Sequence, residues 1–212
     1  MKFDHFIKSS RQLRKFPLGG LHDQFKLAPD FRLGYDSEKI KANKPKKAAV
    51  LILFYPNETN DAKFLLTKRA SYRGTHSAQI SFPGGKIEEY DDSLCQTALR
   101  ETYEEVGVKK NKINILRQIT DVYIPPSNYL VTPFMAYSKK KLKFNINKEV
   151  DTLIEVSVKD LLDDKNIKNI EIKTTYMDNT YVPCFQLNDY VVWGATAMML
   201  SEIKELIKKA QL

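Results

Sequence analysis

The chain has 212 residues, of which 42% are hydrophobic and 28% are charged. This length and composition are typical of one globular domain with its own core, and they exclude an intrinsically disordered chain. Lys and Arg number 34 against 26 Asp and Glu, a net charge of +8 that favours an anionic partner. Because the basic residues are scattered, we expect a small phosphorylated molecule as that partner, and neither nucleic acid nor a membrane.

The sequence shows no recognisable targeting signal, and its cysteine spacing is that of an intracellular protein. The N-terminal residues lack the apolar stretch of a secretory signal, and the longest apolar run, residues 48–55, is too short to span a membrane. We therefore expect a cytoplasmic location. Cys95 and Cys184 show neither a CxxC nor a Cys/His spacing and are expected to be buried free thiols. The sequence leaves the oligomeric state open, with a homodimer as one candidate.

The first part of the chain predicts a helical leader followed by a hairpin. Residues 1–45 are expected to form the leader, packed on a single domain at 46–212. The apolar run at 48–55 ends at a Pro-Asn pair, which predicts a buried strand followed by a turn. Residues 63–68 (KFLLTK) predict a second strand that closes a hairpin with the first.

The centre of the chain predicts one helix and two further strands. Ser93 and the two aspartates before it are suited to cap a helix at 93–106. Gly107 is typical of the position just past a helix end. Strands are expected at 113–122 and 130–137, separated by IPPSN, whose prolines exclude a helix and cannot donate to a sheet.

The last third of the chain predicts more strands and a terminal helix. Residues 153–158 (LIEVSV) predict a strand with a short helix after it, and the later alternating segment predicts a hairpin with its turn at Asn188-Asp189. The final helix is expected to be amphipathic, with an apolar face formed by Ala197, Leu200, Ile203 and Ile207. Strands interleaved with helices predict an α/β (α+β) fold, a mixed β-sheet sandwiched between α-helices.

Four charged residues near the end of the central helix are candidates for catalysis. Intervals of three and four place Glu101, Glu104 and Glu105 on one helix face, with Arg100 beside them. Taken alone, this pattern is more often a solvated face, and repulsion of about 0.2 to 0.5 kcal/mol per pair is too small to decide the matter. The alternative is a set of catalytic, metal-binding carboxylates.

The segment before this helix favours the metal site. In SFPGGKIEE, Gly84 and Gly85 allow the backbone to approach the carboxylates, so we expect both to contact substrate. Mg²⁺ binds carboxylates and backbone carbonyls and keeps waters that a phosphate can displace. The carbonyl of Gly85 is therefore a candidate ligand beside the three glutamates. Arg100 lies four residues before Glu104 and is expected to hold that carboxylate in place.

A resemblance to a known family covers residues 82–108, FPGGKIEEYDDSLCQTALRETYEEVGV. This segment resembles the Nudix box, written G-x5-E-x7-R-E-U-x-E-E-x-G-U with U aliphatic. The second half fits from Arg100 to Val108, except that Thr102 replaces an aliphatic residue. The first half is similar to the coenzyme A pyrophosphatase branch, FPGG-x-x-D/E-x-x-D, which is matched by Gly84, Gly85, Glu88 and Asp91.

The same branch carries a second motif ahead of the box, and LLTKRASYRGTHSAQISFPGG resembles it. The resemblance implies that Arg69, His76 and Gln79 bind substrate. Ala78 replaces the usual glycine, and Arg73 lies one place from the expected arginine. Together with YIPPSNYLVTPF and VVWGAT, the resemblance extends over most of the predicted domain.

Several other residues have two interpretations each. Tyr123 and Tyr129 flank IPPSN and are either adenine-stacking residues or ordinary surface tyrosines. Glu149 is either an added carboxylate near the metal, as in several Nudix enzymes, or a solvated turn residue. His76 is either a ligand contact or a loop histidine satisfied by the backbone. Trp193 is expected to be a core aromatic at the end of a strand.

The resemblance implies a Mg²⁺- or Mn²⁺-dependent hydrolase that cleaves the pyrophosphate bond of coenzyme A or its acyl derivatives into 3′,5′-ADP and 4′-phosphopantetheine. Water would attack one phosphorus, with Glu101, Glu104 and Glu105 binding the metal and one of them, or Glu149, accepting the proton. Two alternatives stay open. One is a Nudix hydrolase of ADP-ribose or NADH, and the other is a nucleotide-sensing module without turnover, which has little need of three glutamates.

Overall fold

A computed structural model describes residues 1–70, 79–174 and 177–210. The strands form one large mixed sheet and one small antiparallel sheet. The large sheet contains β1 (Lys46–Pro56), β2 (Ala62–Arg69), β3 (Ile80–Ser81), β4 (Gly84–Lys86), β5 (Asn114–Gln118), β6 (Val122–Ile124), β7 (Tyr129–Tyr137) and β8 (Val150–Ser157). The small sheet contains β9 (Ile167–Thr174), β10 (Met177–Leu187) and β11 (Tyr190–Trp193). The helices are α1 (Phe3–Leu13), α2 (Gly20–Phe25), α3 (Ser37–Ala42), α4 (Leu94–Val106), α5 (Val158–Leu162) and α6 (Gly194–Ala210).

Strand β1 lies in the middle of the large sheet. It pairs in parallel with β7 along one edge and antiparallel with β2 and β4 along the other. Strand β4 takes the first part of that edge, at residues 48–50, and β2 takes the last part, at residues 54–56. Most residues of β1 are apolar and buried, which is typical of a strand covered on both faces. The predicted hairpin and the mixed sheet between helices are both confirmed.

Alternate residues of β1 face two separate cores. Leu51 and Leu53 pack with Ala98 of α4 on one face of the sheet. Ile52 and Phe54 belong to the larger core on the other face, which includes apolar residues of α1 and α6. Helix α4 therefore covers one side of the sheet, and α1 and α6 cover the other.

Helix α2, in the N-terminal part of the chain, is attached to the rest of the fold through α6. Glu202 of α6 is fully buried. Its carboxylate accepts hydrogen bonds from Gly20 N at 3.1 Å, Gln24 Nε2 at 3.0 Å and Thr120 Oγ1 at 2.7 Å. Because a buried carboxylate needs such donors, Glu202 holds α2 against α6 and the loop before β6. The division of the chain into leader and domain stays a prediction.

The strand predicted at 113–122 is instead two strands, β5 and β6. Both pair with β7, and the break between them lies opposite Pro133. Ile119 N donates to Pro133 O at 3.0 Å, but proline has no N–H to donate in return, so the ladder is interrupted there. The exclusion of a helix from IPPSN was also wrong. Pro125–Ser127 form a 3₁₀ turn, whose first positions need no N–H donor.

Helix α6 is buried on nearly all sides rather than amphipathic. Its predicted apolar face is buried, but Ser201, Glu202 and Lys204 are buried as well. The reason is that α1, α2, α5 and strands of both sheets all pack against α6. A helix enclosed in this way exposes little surface, chiefly at Lys208 and Lys209 near its end.

The hairpin before α6 is confirmed as β10 and β11. Strand β9, which was not predicted, pairs with β10 and completes a three-stranded antiparallel sheet. Its turn lies at Asn188 and Asp189, whose φ angles of 48° and 64° are those of a type I′ turn. Cys184 is buried and Cys95 half-buried, both as free thiols. None of the helices described is long and apolar enough to cross a membrane.

Candidate active site

Helix α4 is fixed at both ends by the residues expected to delimit it. The Ser93 hydroxyl accepts a hydrogen bond from Gln96 N at 3.3 Å, which satisfies one free N–H of the first turn. Gly107 has a φ of 75°, and its N–H donates to Tyr103 O at 2.9 Å. The last turns of α4, which carry the glutamates, are therefore held in a defined position beside β4.

Asp91 is not part of the helix cap, as had been expected, but the partner of Arg100. Its two oxygens accept from Arg100 Nε at 3.0 Å and from Nη2 at 2.9 Å, a bidentate pair. Glu88 N and Thr97 Oγ1 also donate to Oδ2, at 3.0 and 2.9 Å. The Arg100 guanidinium, together with these donors, holds the pKa of Asp91 well below its usual range. This buried pair fastens the loop before α4 to the helix.

Arg100 connects that pair to two of the glutamates. Its Nη1 donates to Glu101 Oε1 at 2.7 Å and to Glu104 Oε2 at 3.1 Å. Its Nη2 also donates to the carbonyl of Lys86 in β4, at 3.1 Å. The predicted contact with Glu104 is therefore present. Asp91 and Glu101 raise the pKa of Arg100 above its ordinary value, so the guanidinium keeps its charge.

The glycines of β4 make room for two different neighbours. Gly85 pairs with Ala49, and a Cβ there would lie 2.6 Å from the carboxylate of Glu101. Gly84 has a φ of 156°, and its Cβ would lie 2.3 Å from the carbonyl oxygen of Ala49. Glycine at position 85 therefore allows a carboxylate to approach the strand, whereas glycine at position 84 allows two strands to pair.

Glu105 lies beneath β4 and is only 3% exposed. Its Oε2 accepts from Gly84 N at 3.1 Å, and its Oε1 lies 3.4 Å from Arg69 Nη1. Burial raises the pKa of Glu105 to about 7, a shift that Glu101 and Glu149 increase and Arg69 opposes. Burial also raises the pKa of Glu101. Neighbouring carboxyl groups with raised pKa values are typical of a functional site and argue against a solvated helix face.

Arg69 lies between two of the carboxylates. Its Nη1 is 3.4 Å from Glu105 Oε1, and its Nη2 is 3.6 Å from Glu149 Oε2. Glu149 has a side chain that is 53% exposed, and its charge raises the pKa of both Glu101 and Glu105. Of the two interpretations of Glu149, the structure favours the added carboxylate near the cluster. Arg69 also borders the cavity described below. Its role in substrate binding stays a prediction.

The glutamates have the donor chemistry for a divalent cation but do not enclose one. Their carboxylates are hard oxygen ligands suited to Mg²⁺ or Mn²⁺. Within the ranges 1–70, 79–174 and 177–210, no three His, Cys, Asp or Glu side chains converge as a metal site. Arg100 and Arg69 hold the carboxylates in ion pairs instead. The donor set thus fits a hard cation, which would take over charge compensation that these arginines now provide.

A cavity of about 540 Å³ adjoins the cluster. Ala48 of β1, Val131 of β7 and Met199 of α6 line it, so the cavity reaches from the end of α4 to the face of the sheet that α6 covers. Glu105 is not among the residues that line the cavity. Most of the other predicted site residues line the cavity, namely Arg69, Gln79, Gly84, Gly85, Arg100, Glu101 and Glu104.

Aromatic residues near the cavity change two sequence interpretations. Trp193, expected in the core, is only half-buried and lines the cavity together with Tyr129. Tyr123 is 9% exposed. Its hydroxyl donates to Asn128 Oδ1 at 2.9 Å and accepts from Asn43 Nδ2 at 3.1 Å. Tyr123 therefore fixes the loop after β6, and of the two tyrosines it is Tyr129 that reaches the cavity.

Sequence reasoning missed several residues that line the cavity, among them Arg32, Tyr90 and Ser127. Tyr90 is 70% exposed, and the centre of its ring lies 5.5 Å from the Arg100 guanidinium carbon. Its place in the loop between the glycines and α4 was the available signal. Ser127 lies in IPPSN, a segment that carries part of the family resemblance, so a signal was present there. No local motif marks Arg32, which only the fold brings to the cavity. His76 lies outside the described residues.

Comparison with known proteins identifies the family. A family model of the NUDIX domain matches residues 45–176. The chain is 33% identical over 165 residues to Nudix hydrolase 15, mitochondrial, of Arabidopsis thaliana, across 74% of this chain and 57% of that protein. It is 30% identical over 165 residues to the Nudix hydrolase NudL of Yersinia pestis, across 76% of this chain and 80% of NudL. The chain spans little more than half the length of that Arabidopsis protein and of another, Nudix hydrolase 22, chloroplastic.

Solved structures support the fold. The Nudix hydrolase RenU of M. smegmatis superposes with a TM-score of 0.55 at 18% identity, covering 78% of this chain and 87% of RenU. The NUDIX domain of Shewanella oneidensis NrtR, solved with ADP ribose, superposes with a TM-score of 0.50 at 18% identity, covering 84% of this chain and 97% of that one. With the family model and the sequence relatives, these findings show that the chain belongs to the Nudix hydrolase family.

Proposed function

We propose that this protein is a Mg²⁺- or Mn²⁺-dependent pyrophosphohydrolase of coenzyme A or its acyl derivatives. Its products would be 3′,5′-ADP and 4′-phosphopantetheine or the acyl form. The observation that carries the proposal is the cluster of glutamates beside the glycines of β4, at the edge of a cavity of about 540 Å³. Burial raises the pKa of Glu105 in this cluster to about 7, an unfavourable arrangement that a bound cation would relieve.

The proposed roles follow from the contacts of each side chain. The three glutamates of α4 would hold the cation, with the carbonyl of Gly85 as a further ligand. When bound, the cation polarises the phosphate and lowers the pKa of water. Arg100 keeps two of the glutamates in position, and water attacks one phosphorus while the bond to the bridging oxygen breaks. One of the glutamates of α4, or the exposed Glu149, accepts the proton from water.

The choice of coenzyme A rests on the motif ahead of β4 and on the shape of the cavity. A volume of about 540 Å³ is in the range of small-molecule sites and leaves room for groups on both sides of a pyrophosphate. Trp193 and Tyr129 supply apolar surface for a nucleobase or a pantetheine arm, and Gln79 and Arg69 supply polar groups. The role of His76, a homodimer and a cytoplasmic location stay predictions.

Two other functions compete with this one. The first is hydrolysis of another nucleoside diphosphate derivative, such as ADP-ribose or NADH. The NrtR domain of similar fold was solved with ADP ribose, although at 18% identity that likeness concerns the fold. The second is nucleotide sensing without turnover. The buried glutamates with raised pKa values argue against it, because a binding module gains nothing from carboxylates that are costly to bury.

A substrate panel separates these functions. The purified protein is incubated with Mg²⁺ or Mn²⁺ and with coenzyme A, 3′-dephospho-coenzyme A, ADP-ribose or NADH, and the nucleotide products are separated by chromatography. We expect 3′,5′-ADP from coenzyme A, with a kcat/KM about ten- to a hundredfold above those of 3′-dephospho-coenzyme A and ADP-ribose. An equal kcat/KM for ADP-ribose would contradict coenzyme A as the preferred substrate. Absence of product from every compound with both metals would instead support the sensing module.

A further inference from the structure

The cavity extends well beyond the glutamates. Lys86 of β4 pairs with Ala48 of β1, Ala48 pairs with Val131 of β7, and Val131 pairs with Val122 of β6. Neighbouring strands lie about 4.8 Å apart, so three spacings place β6 about 14 Å from β4. Residues from both of these strands line the same cavity. The end at β6, called the far end here, therefore has room for a part of the substrate that does not react.

Arg32 brings a positive charge to the far end. It is the last residue of a 3₁₀ turn, Asp30–Arg32, and it lines the cavity although it is only 7% exposed. Its Nη1 donates to Tyr123 O at 2.9 Å and lies 3.7 Å from Met198 Sδ. These contacts to β6 and α6 fix the guanidinium before any ligand binds. A side chain held in this way loses little conformational entropy on binding.

Ser127 lines the same end of the cavity. Its Oγ is buried and has no hydrogen-bond partner among the residues that the structure describes. Such a group is unfavourable unless a ligand or an ordered water satisfies it. The surrounding wall is largely apolar, which strengthens a polar contact formed there. That wall includes Ile124, Pro126, Trp193 and Met199.

Among the residues that the structure describes, the other basic side chains that line the cavity lie at its reacting end. Arg69 and Arg100 contact the glutamates of the cluster. Lys86 lies in β4 with its Nζ 3.0 Å from Glu88 Oε1. A second anionic group, placed on the β6 side of a substrate, would therefore meet Arg32.

We propose that Arg32 and Ser127 form a subsite for a phosphomonoester that the substrate carries on its nucleoside and that does not react. The planar guanidinium donates two parallel hydrogen bonds to a phosphate, and the serine hydroxyl donates one more. The inference rests on the proposed function, because coenzyme A carries such a phosphate on its ribose. Arg32 lies outside the segment 45–176 matched by the family model. The N-terminal residues thus contribute to specificity as well as to packing.

Equilibrium binding of products tests the subsite without turnover. The affinities of adenosine 3′,5′-bisphosphate and of AMP are measured by calorimetry in EDTA for the full chain. We expect the wild type to bind the bisphosphate about ten- to a hundredfold more tightly, the effect of a charge-assisted hydrogen bond. Arg32→Gln should reduce this ratio to about one, and Ser127→Ala should reduce it by about two- to tenfold. Arg11→Gln removes one charge from an exposed position of α1 and should leave the ratio unchanged.

Each outcome bears on one of the two proposals. Equal affinities in the wild type, a lack of binding at millimolar ligand, or a ratio that persists in both Arg32→Gln and Ser127→Ala would overturn the subsite. Ser127→Ala keeps the test valid if Arg32→Gln unfolds, because it removes a hydroxyl that has no described partner. A preference that depends on Arg32, found together with equal hydrolysis of ADP-ribose in the substrate panel, would support the subsite and reject coenzyme A as the selected substrate.

Discussion

The two ends of the cavity are built from the chain in different ways. Most of the reacting end comes from one continuous stretch, residues 84–105, in which the glycines of β4 and the glutamates of α4 are close in sequence. Arg69 and Glu149 join it from elsewhere in the chain. The far end joins three distant segments, with Arg32 from the N-terminal residues, Ser127 after β6 and Trp193 before α6. The comparison shows that the chemistry is encoded locally, whereas the surface for the remainder of a substrate is assembled by the fold.

The two ends also differ in their charge. The reacting end holds carboxyl groups whose pKa values are raised by burial, at Glu101 and Glu105. The far end presents the guanidinium of Arg32. A cation bound at one end and an anionic group bound at the other would complement both. Changes at the reacting end should therefore affect turnover, and changes at the far end should affect which substrate is preferred.

The largest expected effect is on turnover at the reacting end. Glu104→Gln and Glu105→Gln should each keep the fold and lower kcat by about 10² to 10⁴, the range for loss of a catalytic acid/base or of its metal equivalent. The measurement is kcat with saturating Mg²⁺, with circular dichroism as the control for folding. Unchanged turnover in both variants would remove the glutamates from the proposed site.

Stability as a function of pH tests the burial of Glu105. Its folded pKa of about 7 lies above the ordinary 4.5, so the folded state binds a proton that the unfolded chain releases as pH rises from 4.5 to 7. Stability is lost over that window, by about 3 kcal/mol at most. Glu105→Gln should therefore be more stable than the wild type at pH 8 and similar to it at pH 4.5, by urea unfolding in EDTA. Glu104→Gln is the matched control, since its side chain is 48% exposed; an equal gain there would refute the burial argument.

The glycines of β4 offer a matched pair of substitutions. In Gly85→Ala the new Cβ meets the flexible end of Glu101, so kcat should fall about ten- to a hundredfold with little loss of stability. In Gly84→Ala the new Cβ meets the backbone of Ala49, so the free energy of unfolding should fall by more than about 2 kcal/mol. Kinetics and thermal unfolding of both variants are the measurements. The interpretation fails if Gly85→Ala loses stability and keeps its turnover per folded molecule.

The smallest expected effect is at Tyr123. Removal of its hydroxyl in Tyr123→Phe deletes hydrogen bonds to Asn43 and Asn128, which should cost about 1 kcal/mol of stability. Since this side chain is not on the cavity surface, the ratio of kcat/KM values for coenzyme A and ADP-ribose should stay within about twofold. A change in this ratio without a change in stability would indicate that Tyr123 contacts the substrate.

The elements that sequence reasoning placed correctly are those defined by neighbouring residues. Helix α4 is an example, because Ser93 caps one end and Gly107 the other. The hairpin turn at Asn188-Asp189 is another, because these residue types tolerate positive φ. Glu101 and Glu105 likewise lie beside β4, where the glycine-rich segment was expected to approach the carboxylates.

The elements it missed depend on distant partners. The break between β5 and β6 is set by Pro133 on the strand opposite. The burial of α6 on nearly all sides depends on N-terminal helices more than 150 positions away in sequence, through contacts such as Gln24 with Glu202. Arg32 has no signal of its own, because its role depends on a cavity formed by β6 and α6. Trp193 was assigned to the core because a tryptophan at the end of a strand has the same sequence pattern whether it packs in the core or lines a cavity.

The most direct test of the account is a metal titration of coenzyme A hydrolysis. The wild-type protein is assayed from EDTA to millimolar Mg²⁺, and both products are measured. We expect no hydrolysis in EDTA, a rate that rises and saturates with Mg²⁺, and 3′,5′-ADP and 4′-phosphopantetheine in equal amounts. Hydrolysis that persists without metal, or an absence of both products at every Mg²⁺ concentration, would contradict the claim that the glutamates of α4 form a metal-dependent pyrophosphohydrolase site for coenzyme A.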